Sequence, residues 1–270
     1  MNERETALPK DSLTFLGTGG ARFMIISQLL ASGGIWLNLS GTEILLDPGP
    51  GCIVHATKRK LKPEKLRAIV LSHRHLDHSG DVNVMAEAMT EGGLNRHGAL
   101  YAPADALNSE PVIFSYLRKN LQEVVVMEEK KSYAIGNVTF STPVRHRHPV
   151  ETYGMVFKTP EHTFSYIADT SFFNGITEHY KAEMLIINTL FLEPRSGQGI
   201  GNVPIEHLSV PDAVRIITEI KPKIAILTHF GMSIWRAKPW EIAERMTQAT
   251  GVRVIAARDG MVFDLAELDG

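Results

Sequence analysis

Short apolar runs alternate with turn residues along the chain, and this pattern predicts many β-strands separated by helices. A hairpin is indicated where Ser40 and Gly41 separate the apolar runs 34–39 and 42–47. Further strands are predicted at residues 12–16, 67–71, 98–101, 123–127, 138–142, 152–158, 163–168, 183–187, 223–228, 252–255 and 260–264. Helices are predicted at residues 51–60, 79–91, 109–119, 174–181, 210–220 and 237–249. Because the strands fall into two groups, each interleaved with helices, the pattern predicts a layered α/β sandwich.

The length of the chain limits the number of domains. Its 270 residues, of which 44% are hydrophobic, are enough to bury a full core. We expect one domain over residues 12–270, preceded by a flexible tail over residues 1–11. The tail is charged, and no apolar run approaches the roughly 18 residues of a membrane span. The sequence therefore predicts a protein without a membrane contact.

Charge and cysteine usage narrow the partners and the metal chemistry. The formal net charge of −2 gives no general attraction to nucleic acid or anionic lipid, so an anionic substrate needs a local site. Cys52 is the only cysteine, which excludes an intrachain disulfide and a thiolate zinc cluster and is typical of a reducing compartment. The sequence thus predicts a cytoplasmic location, with histidine and carboxylate as the ligands of any metal.

Reactive side chains follow three of the predicted strands at the point where each strand ends. The motif HRHLDH at residues 73–78, Asp169 and His229 each come directly after an apolar run. In open α/β sheets, ligands bind at the edge where the loops leaving several strands converge. We therefore expect these three segments to contribute to one site.

The spacing within HRHLDH fits two cations. In extended backbone, positions i and i+2 point the same way, so His73 and His75 can chelate one cation. Asp77 and His78, in the turn that opens the next helix, point toward a second. Two cations about 3.5–4 Å apart need a bridging carboxylate, and Asp169 is the candidate. A solvated polar loop is the alternative, but it leaves the other two strand ends unexplained.

The order of the motifs resembles that of the metallo-β-lactamase superfamily of metal-dependent hydrolases. The segments that carry the resemblance are FLGTG at 15–19, LDPG at 46–49, HRHLDH, His148, Asp169 and His229. The resemblance covers about residues 12–231 and implies an α/β fold with four layers, an αββα sandwich. It also implies two divalent metal ions, most often zinc, although such ligands accept manganese or iron as well. The metal ligands it implies are His73, His75 and His148 for the first ion, Asp77, His78 and His229 for the second, and Asp169 as the bridge.

The later motifs are similar to those of one branch of this superfamily, the tRNA 3′-end processing endonucleases and related phosphodiesterases. The similar segments are residues 148–154, 167–170 and 228–231. They make a phosphodiester the leading substrate class. Residues 206–209, EHLS, resemble the extra histidine motif of the branch, which implies that His207 contacts the scissile phosphate or protonates the leaving group. Asp77 is expected to orient or deprotonate the attacking water in addition to binding metal.

Two departures from the branch limit the assignment. The loop over residues 193–202 is too short for the long basic arm that grips tRNA, so tRNA is not an expected partner. Asn188 stands where the branch carries a glutamate, which leaves His207 without a carboxylate partner. The short loops favour a small phosphodiester, or another small ester, as the substrate.

Several alternatives remain open. His146 has the same strand spacing as His148 and is the competing ligand. Asp47 is either a hydrogen-bond partner of a ligating histidine or an ordinary turn residue. Trp235 and Trp240 line a substrate wall, contact a second subunit in a homodimer, or pack in the core. A lactone, thiolester or other carboxylic ester is the alternative substrate class, and a metal-binding protein without hydrolytic turnover is the third possibility.

Overall fold

The computed structural model describes residues 9–195 and 205–270, and within these ranges it contains two mixed sheets and a set of short helices. The strands are β1 (Ser12–Phe15), β2 (Ile35–Leu39), β3 (Thr42–Leu46), β4 (Leu66–Val70), β5 (Ala99–Pro103), β6 (Glu123–Met127), β7 (Lys131–Ile135), β8 (Val138–Thr142), β9 (Met155–Lys158), β10 (Thr163–Ile167), β11 (Met184–Asn188), β12 (Ile224–Thr228), β13 (Arg253–Ala256) and β14 (Val262–Asp264). The α-helices are α1 (Ala21–Ser27), α2 (Cys52–Lys58), α3 (Leu76–Ser79), α4 (Val82–Met89), α5 (Ala104–Leu107), α6 (Ser115–Arg118), α7 (Ile176–His179), α8 (Val210–Ile220), α9 (Met232–Arg236) and α10 (Pro239–Thr250).

Each sheet has one antiparallel and one parallel half. The first sheet has the strand order β14-β1-β2-β3-β4-β5-β6, and the second has the order β13-β12-β11-β10-β9-β8-β7. Strands β3 to β6 run parallel, as do β10 to β13. The carboxyl ends of parallel strands share one edge of a sheet, so the loops that follow β4, β10 and β12 can meet there.

The hydrophobic residues form three buried layers. The middle layer lies between the two sheets and includes Val70 and Ile186. One outer layer packs the first sheet against α2 and α4 through residues such as Ile69 and Met85. The other packs the second sheet against α8 and α10 through residues such as Ile187. Two helical layers therefore enclose two sheets, which confirms the predicted αββα sandwich.

Burial on both faces explains the continuous apolar runs of the central strands. In β4, Val70 faces the other sheet while Ile69 faces the helices, and both are fully buried. Each such aliphatic side chain contributes about 1.5–3 kcal/mol by leaving water. The predicted hairpin is also present: β2 pairs with β3, and Ser40 and Gly41 both have positive φ, as a type I′ turn requires.

Several predicted elements differ from the observed ones. The helix expected over 109–119 is reduced to α6, because Pro111 has no N–H and disfavours helical backbone in the residue before it. The helix expected over 79–91 is shorter in the structure, where α4 covers Val82–Met89 and the separate turn α3 precedes it. Strand β7 was not predicted, since it is a sheet edge whose mostly exposed residues lack a clear alternation.

The domain boundaries stay a prediction. Residues 1–8 of the expected tail, and residues 196–202 of the loop judged too short for a tRNA-binding arm, lie outside the described residues. Asp11 is buried, and its carbonyl oxygen accepts the N–H of Leu265. None of the helices in the described residues has the length and apolar character that a membrane span requires.

Candidate metal centre

The structure brings all seven residues predicted as metal ligands to the carboxyl edge of the parallel strands. HRHLDH follows β4, Asp169 follows β10, and His229 follows β12. Their ligand atoms, together with one from His207, fall into three overlapping groups, each within 4.8 Å: His73, His75 and His148; Asp77, His78, Asp169 and His229; and His148, Asp169 and His207. The sequence prediction that these strand ends form one site is thus borne out by their positions, while their role as ligands stays a prediction.

The first group consists of three imidazoles whose nitrogens converge. His73 Nε2 lies 3.1 Å from His75 Nδ1, and His148 Nε2 lies 3.0 Å from the same atom. Burial lowers the pKa of His148 to about 3 and holds the pKa of His73 well below its ordinary value. The rings are therefore neutral, and each carries a proton on only one nitrogen.

Hydrogen bonds on the far side of two of these rings determine where that proton sits. His148 Nδ1 donates to the carbonyl oxygen of Glu206 at 3.0 Å. His73 Nδ1 lies 2.9 Å from Ser72 Oγ, which has already given its own proton to Asp47 at 2.7 Å and so accepts from the imidazole. Both Nε2 atoms then point lone pairs at His75 Nδ1. That atom carries at most one proton, which can point at only one of them, so at least one Nε2 lone pair faces Nδ1 at about 3 Å with no proton between them. A cation removes this repulsion, and the donor set fits one.

The second group combines two imidazoles with carboxylates. His229 Nε2 lies 3.0 Å from His78 Nε2 and 3.1 Å from Asp77 Oδ2. His78 Nδ1 donates to Asp47 at 3.0 Å, which turns Nε2 toward His229. Burial alone would lower the pKa of His78, but the carboxylates of Asp169, Asp77 and Asp47 raise it well above its ordinary value. The local field thus favours positive charge at this position.

Asp169 lies between the two groups. Its Oδ2 is 3.8 Å from His73 Nε2 and 3.4 Å from His78 Nε2. Although burial would raise the pKa of Asp169, the surrounding histidines, foremost His229, hold it well below its ordinary value. The other oxygen, Oδ1, accepts a hydrogen bond from Asn188 Nδ2 at 2.9 Å. An ionised carboxylate with one oxygen anchored and the other directed at both groups has the arrangement that a bridging ligand needs.

His207 also reaches this cluster. Its Nδ1 lies 3.4 Å from Asp169 Oδ2, and its ring centroid lies 5.1 Å from that of His148. The expectation that His207 lacks a carboxylate partner is therefore wrong. That expectation considered only position 188, where Asn188 replaces a glutamate, whereas the fold supplies Asp169 from the neighbouring strand.

His146 does not join the metal-binding groups. Its Nε2 contacts the hydroxyl of Tyr180 at 2.6 Å, and its Nδ1 contacts the carbonyl oxygen of Asp169 at 3.2 Å. Of the two histidines, only His148 lies in a group of candidate ligand atoms within the described residues, and its role as a ligand stays a prediction. The two tryptophans whose roles were left open lie in different surroundings. Trp235 packs against the apolar layer between the second sheet and its helices, whereas Trp240 is 55% exposed.

Asp47 hydrogen-bonds to the cluster on the side away from the candidate ligand atoms, and most of its partners were not predicted from the sequence. Its carboxylate accepts hydrogen bonds from the N–H and hydroxyl of Ser72, from His78 and from the hydroxyl of Tyr166 at 2.8 Å. The predicted contact between Asp47 and a histidine of the motif is thus confirmed. Ser72 and Tyr166 were missed, although a polar residue at the end of an apolar strand was a usable signal for each.

Gly20 leaves space for the ring of His229, and a substitution there tests how the ring is held. A Cβ atom on Gly20 would lie 2.2 Å from His229 Nδ1, far inside van der Waals contact. We expect Gly20→Ala to displace the imidazole and to weaken binding of one divalent ion by about 10–100-fold, measured by competitive titration with a metal indicator.

The control for this substitution is Gly41→Ala, in the hairpin turn. A Cβ atom on Gly41 meets nothing within 4 Å, but its φ of +77° makes alanine costly there. We expect Gly41→Ala to lower the unfolding temperature and to leave metal affinity unchanged. A Gly20→Ala protein that binds metal as tightly as the parent would show that the ring of His229 is not a ligand.

Comparisons with known proteins agree with this geometry. The family model described as "Beta-lactamase superfamily domain" matches residues 42–230. The uncharacterized protein MJ1374 of Methanocaldococcus jannaschii is 30% identical over 263 residues, which cover 94% of this chain and 94% of that protein. The protein of Bacillus subtilis described as "Probable metallo-hydrolase YhfI" is 29% identical over 168 residues, which cover 62% of this chain and 66% of YhfI.

Solved structures share the fold over nearly the whole chain. The crystal structure of YhfI has a TM-score of 0.76 at 22% identity and covers 94% of this chain and 98% of YhfI. The crystal structure of a diphosphatase from the PhnP family has a TM-score of 0.68 at 21% identity, covering 94% of this chain and 96% of that one. The resemblance inferred from the motifs is therefore confirmed, and the chain belongs to the metallo-β-lactamase superfamily of metallo-hydrolases.

Proposed function

We propose that the protein is a dinuclear metal-dependent hydrolase whose substrate is a small phosphodiester. The observation that carries the proposal is the pair of adjacent ligand groups with Asp169 Oδ2 between them, 3.8 Å from His73 and 3.4 Å from His78. A carboxylate oxygen that faces both groups is the bridge that two cations about 3.5–4 Å apart need to offset their repulsion.

We assign the ligands of each proposed ion from the way the candidate donor atoms are grouped. The proposed ligands are His73, His75 and His148 for the first ion, Asp77, His78 and His229 for the second, and Asp169 as the bridge. Zinc is the proposed metal, with manganese or iron as alternatives for such ligands. When bound, the two ions acidify water and offset the negative charge that develops on a phosphoryl oxygen.

Two side chains are proposed to act on the substrate and the water. Asp77 has one oxygen held by the N–H of Ala21 at 2.7 Å, so its carboxylate is oriented and available to position and deprotonate the attacking water. The side chain of His207 is 16% exposed, and its Nδ1 faces Asp169. Burial lowers the pKa of His207 to about 4, although the Asp169 carboxylate raises it. A neutral ring carries only one proton, so Nε2 donates to the phosphate or to the leaving oxygen when the imidazole is protonated.

The phosphodiester is supported by the motifs around His148 and His207, which are similar to the phosphodiesterase branch. The likeness to a PhnP-family diphosphatase agrees with this substrate class. A carboxylic ester, such as a lactone or thiolester, is the second candidate, because large apolar side chains stand exposed beside Asp77. Phe23 and Ile26 on α1 are 67% and 79% exposed, and Leu76 on α3 is 70% exposed. An exposed apolar surface of these three side chains suits an apolar acyl group.

Removing and restoring the metal tests the function. We expect chelation to abolish turnover and two equivalents of zinc or manganese per chain to restore it, measured by elemental analysis and by hydrolysis of bis(p-nitrophenyl) phosphate. The value of kcat/KM on this phosphodiester should exceed that on p-nitrophenyl butyrate and on a lactone by at least about tenfold, a difference of about 1.4 kcal/mol in transition-state binding.

The other outcomes identify the competing functions. Faster hydrolysis of the ester or the lactone would favour the second candidate. No turnover with zinc, manganese or iron, in protein that binds two ions, would favour a metal-binding protein without hydrolysis. The homodimer, the cytoplasmic location and the absence of tRNA binding stay predictions.

A further inference from the structure

A buried pair of side chains, His146 and Tyr180, lies beside the proposed centre and has no part in the mechanism above. Tyr180 is fully buried and His146 is 4% exposed. Their polar atoms are 2.6 Å apart, and His146 also reaches the backbone carbonyl of Asp169 at 3.2 Å. Burying an imidazole and a phenol costs free energy unless both are hydrogen-bonded, so this arrangement is specific.

The directions of the two hydrogen bonds follow from the acceptor at one end. A carbonyl oxygen can only accept, so His146 Nδ1 donates to Asp169 O. In a neutral ring, Nε2 then carries the lone pair and accepts the proton of the Tyr180 hydroxyl. The chain of donors therefore runs from Tyr180 through His146 to the backbone of the bridging carboxylate.

The same histidine belongs to the loop that carries His148. The N–H of His146 donates to the carbonyl of Thr152 at 2.9 Å and closes the loop around His148. Arg147 adds two contacts to the segment after Asp169: its N–H reaches Thr170 Oγ1 at 3.2 Å, and its carbonyl accepts the N–H of Ser171 at 3.0 Å. His146 thus stands where a ligand loop of the first ion meets the strand end that supplies the bridge.

Gly154, at the other end of this loop, leaves room for the pair. A Cβ atom there would lie 2.5 Å from the Tyr180 hydroxyl oxygen and 2.8 Å from His146 Cε1. Any side chain at this position would therefore separate the two residues. Glycine at position 154 therefore leaves room for the hydrogen bond between His146 and Tyr180.

We propose that His146 is a positioning residue which, through its hydrogen bond to the carbonyl of Asp169, fixes the bridging carboxylate relative to His148. The inference rests on the proposed dinuclear centre and assigns a role that the ligand set does not include. If this hydrogen bond is lost, we expect weaker binding of the metal ion that depends most on Asp169, although no metal ligand has been changed.

Two amide variants separate the two contacts of the imidazole. The amide nitrogen of His146→Asn occupies the place of Nδ1 and can still donate to Asp169, whereas it does not reach Tyr180. The longer His146→Gln places its amide near Nε2 and keeps only the contact with Tyr180. His146→Leu removes both contacts, and Tyr180→Phe removes the phenol hydroxyl alone.

The measurement is titration of metal-free protein with Co²⁺, followed by visible absorption, with unfolding temperatures recorded for every variant. We expect two Co²⁺ per chain in the parent and in His146→Asn, with similar spectra. We expect His146→Gln and His146→Leu to bind the second Co²⁺ about 10–100-fold more weakly, with an altered spectrum, as is usual when an outer hydrogen bond of a metal site is lost. Tyr180→Phe should bind both ions.

Each contrary outcome is decisive. If His146→Leu does not fold, the comparison of the Asn and Gln variants decides, since each keeps one polar partner. Restoration of the second Co²⁺ by His146→Gln and not by His146→Asn would assign the effect to Tyr180 and overturn the inference. If the parent binds two ions and every His146 variant binds them with the same affinities, the positioning role of His146 is overturned and the dinuclear centre is not. Parent protein that binds fewer than two ions would overturn the dinuclear centre itself.

Discussion

Replacing Asp77 with alanine is expected to lower kcat by at least about 10³-fold in protein saturated with metal. Asp77 Oδ2 lies 3.1 Å from His229 Nε2 and 3.6 Å from His78 Nε2, so its removal takes one of the two carboxylates from the second group. The same change removes the proposed base for the attacking water. Because the two losses affect one step, we expect the decrease to appear in kcat and not only in KM. The measurement is steady-state hydrolysis of bis(p-nitrophenyl) phosphate over a range of zinc concentrations.

Two further variants make this result specific. Asp77→Asn keeps the size of the side chain and an oxygen for the N–H of Ala21, so it isolates the negative charge, and we expect nearly the same loss. Glu244→Ala removes an exposed carboxylate from α10, far along the chain from the motif, and should leave kcat unchanged. Substantial turnover by metal-loaded Asp77→Ala would refute the role of Asp77.

The convergence of the candidate ligands could be predicted because their positions follow from local rules. Alternation along an extended strand end places His73 and His75 on one side, and parallel strands deliver their loops to one edge. Both rules need only short stretches of sequence. For the same reason the hairpin at Ser40-Gly41 and the doubly buried strands were recognised, since periodicity and turn residues are local signals.

The supporting network could not be predicted because it depends on contacts between distant parts of the chain. Asp47 belongs to the first sheet and Tyr166 to the second, yet their side chains hydrogen-bond at 2.8 Å. Asn188 was read by comparison with a glutamate at the same place, but in the structure it donates to both Tyr166 and Asp169. The partner of His207 was missed in the same way. Such contacts are set by how the two sheets pack, which no single segment encodes.

This network connects the two groups of candidate ligands through hydrogen bonds to one buried carboxylate, Asp47. Asp47 contacts His78 of the second group directly and reaches His73 of the first group through Ser72. Through Tyr166 and Asn188 it is also connected to Asp169, the proposed bridge. One buried carboxylate therefore helps to orient residues of both groups and Asp169, which keeps their ligand atoms turned toward one another.

The second large effect is expected for Asp169→Asn, which keeps the shape of the side chain and removes its charge. An amide cannot offset the repulsion of two cations, so we expect the protein to retain one tightly bound divalent ion and to bind the second at least about 100-fold more weakly. The measurement is isothermal titration of metal-free protein with zinc, paired with elemental analysis after gel filtration. Turnover should fall with the second ion and recover in part at high zinc concentration.

The control for Asp169→Asn is Asp269→Asn, since the side chain of Asp269 is 69% exposed near the carboxyl terminus. It should bind two ions with the parent affinities. If Asp169→Asn also binds two ions with the parent affinities, the carboxylate is not a bridge, and its negative charge acts instead on His207, whose Nδ1 lies 3.4 Å from Asp169 Oδ2. In that case Asp169→Asn would lower kcat without changing metal content, because His207 would lose the charge that orients and stabilises its protonated form. Metal affinity and kcat measured on the same variant thus separate a bridging carboxylate from a partner of the catalytic histidine.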